Sequence, residues 1–243
     1  MEIFEVGGCV RDELLGIESD DIDFTVVIGE TKNKSVDQGW NEMLSWLNNQ
    51  GFKIFLKTKE CFTVRAKFPK GHKREGLVAD FVMARKEVGV IDGTRRPVLE
   101  LGTLEDDLRR RDFTMNAIAK DSEGRFIDPF GGISDIERNL IRTPLPRALD
   151  TLLDDPLRMI RAIRFSITKG FDIDDFLVHH MFSKEVISKL RQVVSQERIQ
   201  VEVTKMMKFD SIKTIKVLSE MPKDLLEIIF SNNMWLMPTT KKK

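Results

Sequence analysis

Glycine divides this chain into two regimes. Of 15 glycines, only Gly170 lies beyond Leu149. Before that point short β-type runs alternate with turns, and after it helical periodicity dominates. A mixed α/β head followed by an all-helical remainder is therefore expected, with the boundary at the proline pair Pro144 and Pro146. In the head, Ile3 to Val6, Ile22 to Ile28, Lys53 to Lys57, Phe62 to Phe68 and Leu77 to Met83 read as strands. Val10 to Gly16 reads as a short helix, and Gln38 to Gln50 as a longer one. The latter carries Trp40, Met43, Leu44 and Leu47 at the spacing of one buried face and stops at Gly51. Arg85 to Pro97, rich in Gly, Arg and Lys, reads as a loop.

Composition narrows the class. With 41% hydrophobic and 32% charged residues in 243, the chain is globular and large enough for a real core. No apolar run approaches the ~20 residues of a membrane span. The N-terminus does not read as a signal peptide, and two lone cysteines, Cys9 and Cys61, give neither a disulfide framework nor a zinc site. A reducing, cytoplasmic setting is expected. Three histidines are too scattered for a metal cluster, and there is no tyrosine to serve as nucleophile or acid. The net charge is zero, yet residues from Lys184 onward sum to +5 and the rest to −5. That asymmetry suits a carboxylate–metal site joined to a phosphate-contacting module, or equally a chance imbalance of solvated faces.

Three blocks carry chemistry. In the first, Gly7-Gly8 follows a strand and allows close backbone approach to a phosphate, with Arg11 just behind. Asp21 and Asp23 follow on the next strand, where the period of two puts both carboxylates on one face. Such a pair calls for a cation, and oxygen-only ligands suit Mg²⁺. Asp80, isolated in the apolar run LVADFVM, either completes this metal site or pairs with an arginine as a structural residue. In the second block, Arg109-Arg110-Arg111-Asp112 leads into a helix carrying Phe113, Met115, Asn116 and Ile118. The arginines suit a triphosphate or nucleic-acid backbone, or form a solvated corner with Asp112 as helix cap. The third is DDPLRMIRAIRF from Asp154, a helix start. Ile160, Ile163 and Ile167 define its buried stripe, with Asp155 and Arg158 adjacent on the opposite face. Arg161 flanks the stripe. Arg164 falls close to it, which requires a buried anion or acid as partner.

Together and in this order, VGGCVRDELLGIESDDIDFTVV, LEDDLRRRDFTMNAIA with IDPFGGISDI, DDPLRMIRAIRF and QERIQVEVTKMM resemble the motifs of the class II tRNA nucleotidyltransferase and bacterial poly(A) polymerase family. The resemblance spans residues 1 to 210. It implies an α+β fold: a polymerase-β-like nucleotidyltransferase head with a mixed sheet and helices (1–142), a helical neck (143–210), and a short helical body with a basic tail (211–243). It implies Asp21 and Asp23 as Mg²⁺ ligands, Asp80 as third catalytic carboxylate, and Gly7, Gly8, Arg11, Arg111, Asp112 and Asn116 around the triphosphate and ribose. Asp155 and Arg158 become the base-reading pair, supported by Arg161 and Arg164. The family's base-reading helix usually opens Glu-Asp where this chain has Asp154-Asp155. Cytosine and adenine present an amine donor beside a ring-nitrogen acceptor, and guanine and uracil present the reverse. A carboxylate beside an arginine therefore fits C and A and leaves unpaired groups against G and U. The implied activity is addition of CCA to the tRNA 3′ end from CTP and ATP. Poly(A) synthesis or addition of only CC or only A are the variants within the same chemistry. The Gly-punctuated stretch Ala84 to Pro97 is a candidate moving part for the change from C to A addition.

Overall fold

In the computed structural model the chain forms two compact units, Met1–Ile136 and Glu137 onward; the structure describes residues 1–29, 34–90, 97–145 and 148–231. The first unit opens with β1 (Glu2–Val6), α1 (Gly8–Leu14), β2 (Ile22–Val27) and α2 (Val36–Asn49). β3 (Lys53–Thr58), β4 (Thr63–Lys67) and β5 (Val78–Met83) follow, then β6 (Arg85–Val90), β7 (Pro97–Leu101) and α3 (Leu104–Arg109). β8 (Ala119–Lys120), β9 (Phe126–Ile127) and α4 (Gly132–Glu137) close it. Seven strands make one mixed sheet in the order β3-β4-β5-β2-β1-β8-β9, in which β2 and β5 run parallel and the other pairs antiparallel.

Alternation along the strands gives the sheet its two faces. Ile22, Val26, Phe81, Met83, Val64 and Ala66 turn toward α2, which answers with Trp40, Met43 and Leu47, all buried. α2 starts two residues before the expected Gln38, because Ser35 and Gln38 form a reciprocal capping box. The opposite face of β2 and β5 carries Asp23, Thr25 and Asp80, so the apolar face anchors the sheet and the polar face is available for chemistry.

Two local expectations are corrected. Arg85 to Pro97 is not simply a loop: β6 and β7 pair as an antiparallel hairpin with a bulge between Glu87 and Gly89. Its polar residues and its glycine hide the strand period, while Leu101 supplies the buried anchor. Gly93, Arg95 and Arg96 of that stretch lie outside the described residues. The helix expected to carry Phe113 to Ile118 is a single 3₁₀ turn, Thr114–Asn116, running into β8. Phe113, Met115 and Ile118 are all fully buried, which no single helical face would allow.

The second unit contains β10 (Leu140–Ile141), α5 (Ala148–Asp154), α6 (Leu157–Lys169), β11 (Asp172–Ile173), α7 (Asp175–Met181), α8 (Lys184–Val193), α9 (Gln196–Phe209), α10 (Ser211–Ser219) and α11 (Lys223–Ile229). Among its described residues the regular structure is helical apart from the two-residue parallel pair β10–β11. α6 buries Ile160, Ile163 and Ile167 as its spacing predicts, packs on α9, and ends at Gly170 in the left-handed conformation. The tail Lys241 to Lys243 lies outside the described residues.

Gly132 is fixed by space. A Cβ there would sit 2.1 Å from the Thr114 carbonyl oxygen. Gly132→Ala is expected to destabilise the protein by at least ~1–3 kcal/mol, the usual range for overpacking, read as a lower urea midpoint with the slope unchanged. A wild-type midpoint would show that α4 yields freely.

Candidate nucleotide and metal site

Strand register builds the acidic part of the site. Asp23 on β2 lies directly beside Asp80 on the parallel β5, and Asp80 lies opposite Arg65 on β4. Asp21 is exposed just before β2 begins. Both oxygens of Asp80 accept from Arg65, from Nε and Nη2 at 2.6 Å each, so this carboxylate has the arginine partner that its apolar strand called for. Asp23 is different. Burial first, then the charge of Asp21, push its carboxyl from 3.8 up to about 6 against the opposing pull of Arg111, while Asp80 raises it further.

Arg111 faces Asp23 across Gly7. Gly7 has φ 77°, and a Cβ at this position would stand 2.7 Å from Arg111 Nη1 and 3.6 Å from Asp23 Oδ2. Only glycine leaves that approach open. Arg111 Nη2 donates to Asp107 at 3.1 Å and to the Thr25 hydroxyl at 3.4 Å, and the Thr25 hydroxyl donates to the same Asp107 oxygen at 2.7 Å. Burial alone would raise the Asp107 carboxyl, but Arg111, Arg110 and Thr25 hold it below its ordinary value. The Nε of Arg111 is buried and hydrogen-bonds to nothing among the described residues. A buried unpaired donor is costly, and here it belongs to a cation beside a carboxylate cluster.

Arg11 completes the polar wall. Its Nε and Nη2 grip Asp12 at 2.9 and 3.0 Å, and Nη1 donates to Asn116 Oδ1 at 2.6 Å. Asn116 Nδ2 in turn donates to Asp112 Oδ1 at 2.9 Å. Asp112 also accepts from the Phe113 backbone at 2.9 Å. Thus Gly7, Gly8, Arg11, Arg111, Asp112, Asn116, Asp23 and Asp80 all belong to one unit and one connected region of it. Arg65, Asp107 and Thr25 bond to these residues and were not among those expected from the sequence. The strand alternation that pairs Arg65 with Asp80 is legible only once register is known.

In the second unit Arg164 finds its acid. Its Nε donates to Glu202 of α9, a buried carboxylate that also meets Arg161 at 3.4 Å. Asp155 and Arg158 have separate contacts: Asp155 Oδ2 takes Arg198 Nη2 at 2.6 Å, and Arg158 Nη1 donates to the Thr151 carbonyl at 3.1 Å. Glu202 and Arg198 lie within QERIQVEVTKMM and were not singled out, because nothing in α9 alone tells which polar residue turns inward.

The poly A polymerase head domain family matches residues 3–142, more than half of the chain. The chain belongs to that family. Among curated relatives, the Multifunctional CCA protein of Nitrosomonas eutropha is 35% identical over 176 residues, covering 71% of this chain and 36% of the relative. The Multifunctional CCA protein of Neisseria gonorrhoeae is 33% identical over 234 residues, 90% of this chain and 48% of the relative. The chain thus spans no more than about half the length of these relatives. Among solved structures, the Bacillus stearothermophilus CCA-adding enzyme in complex with CTP aligns with TM-score 0.68 at 30% identity, over 92% of this chain and 48% of that one. The Thermotoga maritima CCA-adding enzyme complexed with tRNA aligns with TM-score 0.69 at 26% identity, over 96% of this chain and 49% of that one. The mixed sheet with its helices is therefore the fold of these enzymes' heads.

Carboxyl NMR titration of the metal-free protein should find Asp23 titrating near pH 6. A folded value above the ordinary one means that the group's contribution to stability is full below about pH 4 and is lost as pH rises through 6. A shift of about two units bounds that loss at about 3 kcal/mol. Asp23→Asn should flatten this part of the stability–pH curve, and Asp21→Asn should lower the Asp23 value. An Asp23 that titrates in the ordinary carboxylate range would remove the like-charge argument.

Proposed function

We propose that this chain is a template-independent nucleotidyltransferase that adds CCA to the 3′ end of tRNA from CTP and ATP, releasing pyrophosphate. The observation that carries the reading is the Gly7 cradle, which sets Arg111, with its orphaned Nε, against the strained Asp23 carboxylate.

These residues fit a divalent cation with triphosphate. Burial first, and then the nearby charge of Asp21, raise the Asp23 pKa, and a cation would relieve that cost. Among the described residues no group of three or more His, Cys, Asp and Glu side chains could hold a metal by itself. This suits Mg²⁺, which is commonly held by one or two carboxylates with substrate phosphates completing its shell. Asp21 and Asp23 would hold it, and when bound it would supply charge neutralisation and a lowered pKa for the attacking RNA 3′-hydroxyl. Arg111, whose Nη1 faces the Gly7 opening, would balance the charge of the triphosphate, and Gly7-Gly8 allow the backbone to come close. Arg11, fixed by Asp12 and Asn116, keeps the wall in place with Asp112. Asp80 lies beside Asp23 as the third carboxylate, oriented by Arg65.

Selection of C and A is assigned to Asp155 as acceptor and Arg158 as donor. Arg161 and Arg164, locked by Glu202, support the nucleotide. The neck is taken as 143–210 and the body as 211–243. The setting is proposed to be cytoplasmic, and no helix among the described residues is long and apolar enough to cross a membrane.

Incubation of tRNA lacking its 3′ end with labelled CTP and ATP, followed by sequencing of the 3′ ends, tests the activity. Asp21→Asn and Asp23→Asn should each lower transfer by at least ~10³-fold, as loss of a major transition-state charge stabiliser does, with the thermal melt retained. Near wild-type transfer in either would exclude it from the mechanism. Tails of A alone would replace CCA addition by poly(A) synthesis. Asp155→Ala and Arg158→Ala should lose discrimination of CTP over UTP and of ATP over GTP by more than they weaken triphosphate binding. Normal selection with weak binding would make the pair structural.

A further inference from the structure

The open face of the sheet continues beyond the acidic residues onto β4 and β3, and there its charge reverses. From Asp80 the register passes to Arg65 on β4. Two residues along β4 stands Lys67, directly opposite Lys53 on β3. Two lysines directly across an antiparallel pair repel each other and destabilise it. Both are exposed, and among the described residues neither enters an ion pair, whereas Arg65 is engaged by Asp80. With strands ~4.8 Å apart and ~3.4 Å rise per residue, Lys67 is on the order of 8 Å from the Asp80 position and Lys53 on the order of 12 Å.

Apolar groups accompany these charges. Phe55 is 51% and Leu56 50% exposed, at the bulge between Ile54 and Leu56 where β3 steps out of register. Lysines on β3 alone would suit an edge strand guarded against pairing with other chains. Lys67, however, is on β4, which is paired on both sides, and an exposed Phe-Leu step is the opposite of a guard. Cationic side chains with an exposed aromatic beside them are instead the surface that a single-stranded nucleic acid occupies, phosphates on the charges and a base on the ring.

We propose that this β3–β4 edge seats the single-stranded RNA leading to the reacting 3′ end, with Lys53 and Lys67 on phosphates and Phe55 stacked under a base. The assignment rests on the functional reading above. It adds the track by which a 3′ end reaches Asp23 and Asp80, and the track reads no sequence.

The test measures fluorescence anisotropy of a labelled RNA stem with an unpaired 3′ tail against the full chain across a KCl series. Wild-type transfer to the same RNA and binding of labelled CTP are measured in parallel. Lys53→Gln/Lys67→Gln should bind RNA about tenfold more weakly, with the salt slope reduced by about 1.4 for two single-strand phosphates. Phe55→Ala should weaken RNA binding about tenfold with the salt slope unchanged. CTP binding should be unchanged in both. RNA affinity and salt slope equal to wild type in both variants would overturn the proposal while wild-type transfer leaves the enzyme reading standing. Equal loss of CTP binding would overturn it too, by showing that the edge supports the fold. A wild-type chain that binds no RNA would sink both readings.

Discussion

Asp23 and Asp80 are forced side by side by the parallel register of β2 and β5, two carboxylates on one face of one sheet. The charge of Asp80 thereby adds to burial and to the charge of Asp21, the larger causes, in making an ionised Asp23 costly. The rest of the first unit is arranged around that cost. Arg65 takes Asp80 from the next strand, and Arg111 approaches Asp23 from the end of α3. Arg111 can be held there because Asp107, fully buried, pairs with it and with Thr25. Gly7 is glycine because any side chain would strike Arg111. The apolar face of the same strands packs on α2 and pins the register, so the hydrophobic core pushes the charges together and the arginines make this tolerable.

Local sequence carried the parts of this arrangement that depend on neighbours in the chain. Strands β1 to β5, the α2 stripe of Trp40, Met43 and Leu47, the Gly7 turn and the need of Arg164 for an acid were all legible, because each follows from a period or a turn, whereas Asp21, expected on the strand with Asp23, lies just before β2. What stayed hidden depends on register between distant segments. Arg65 is 15 residues from Asp80, and Asp107 is 82 from Thr25. Glu202 is 38 from Arg164. No window contains both members of these pairs. The misread stretches fail for a second reason. Residues 113–118 are buried on all sides, so burial imposes no period, and the β6–β7 hairpin is so polar that its alternation carries little signal.

The two units solve the same physical problem in different ways. In the first, a cation is left with unused hydrogen-bonding capacity: among the described residues the buried Nε of Arg111 has no partner. In the second, the cations near the proposed base-reading face are neutralised internally, since Glu202 meets both Arg161 and Arg164. That difference matches the two tasks proposed for them. A triphosphate carries charge to be balanced, so free donors there gain by its arrival. A base is neutral, and what selects it is a fixed pattern of donor and acceptor, so the surroundings must hold still rather than supply charge.

Asp155 satisfies that requirement. Its Oδ1 accepts from the Leu157 backbone at 3.2 Å and from Arg198 Nη1 at 3.4 Å, and its Oδ2 accepts from Arg198 Nη2 at 2.6 Å. Those three contacts fix the plane of the carboxylate. A carboxylate has about four lone-pair sites, so one acceptor position remains, which in the proposed role would meet the exocyclic amine of cytosine or adenine. Guanine or uracil would bring a carbonyl to the same oxygen, acceptor against acceptor, in a geometry that the Arg198 fork does not let the carboxylate escape by rotating. In the proposed role, rejection of the wrong base would come from rigidity as much as from attraction. The rigidity is supplied by α9, the helix that also provides Glu202.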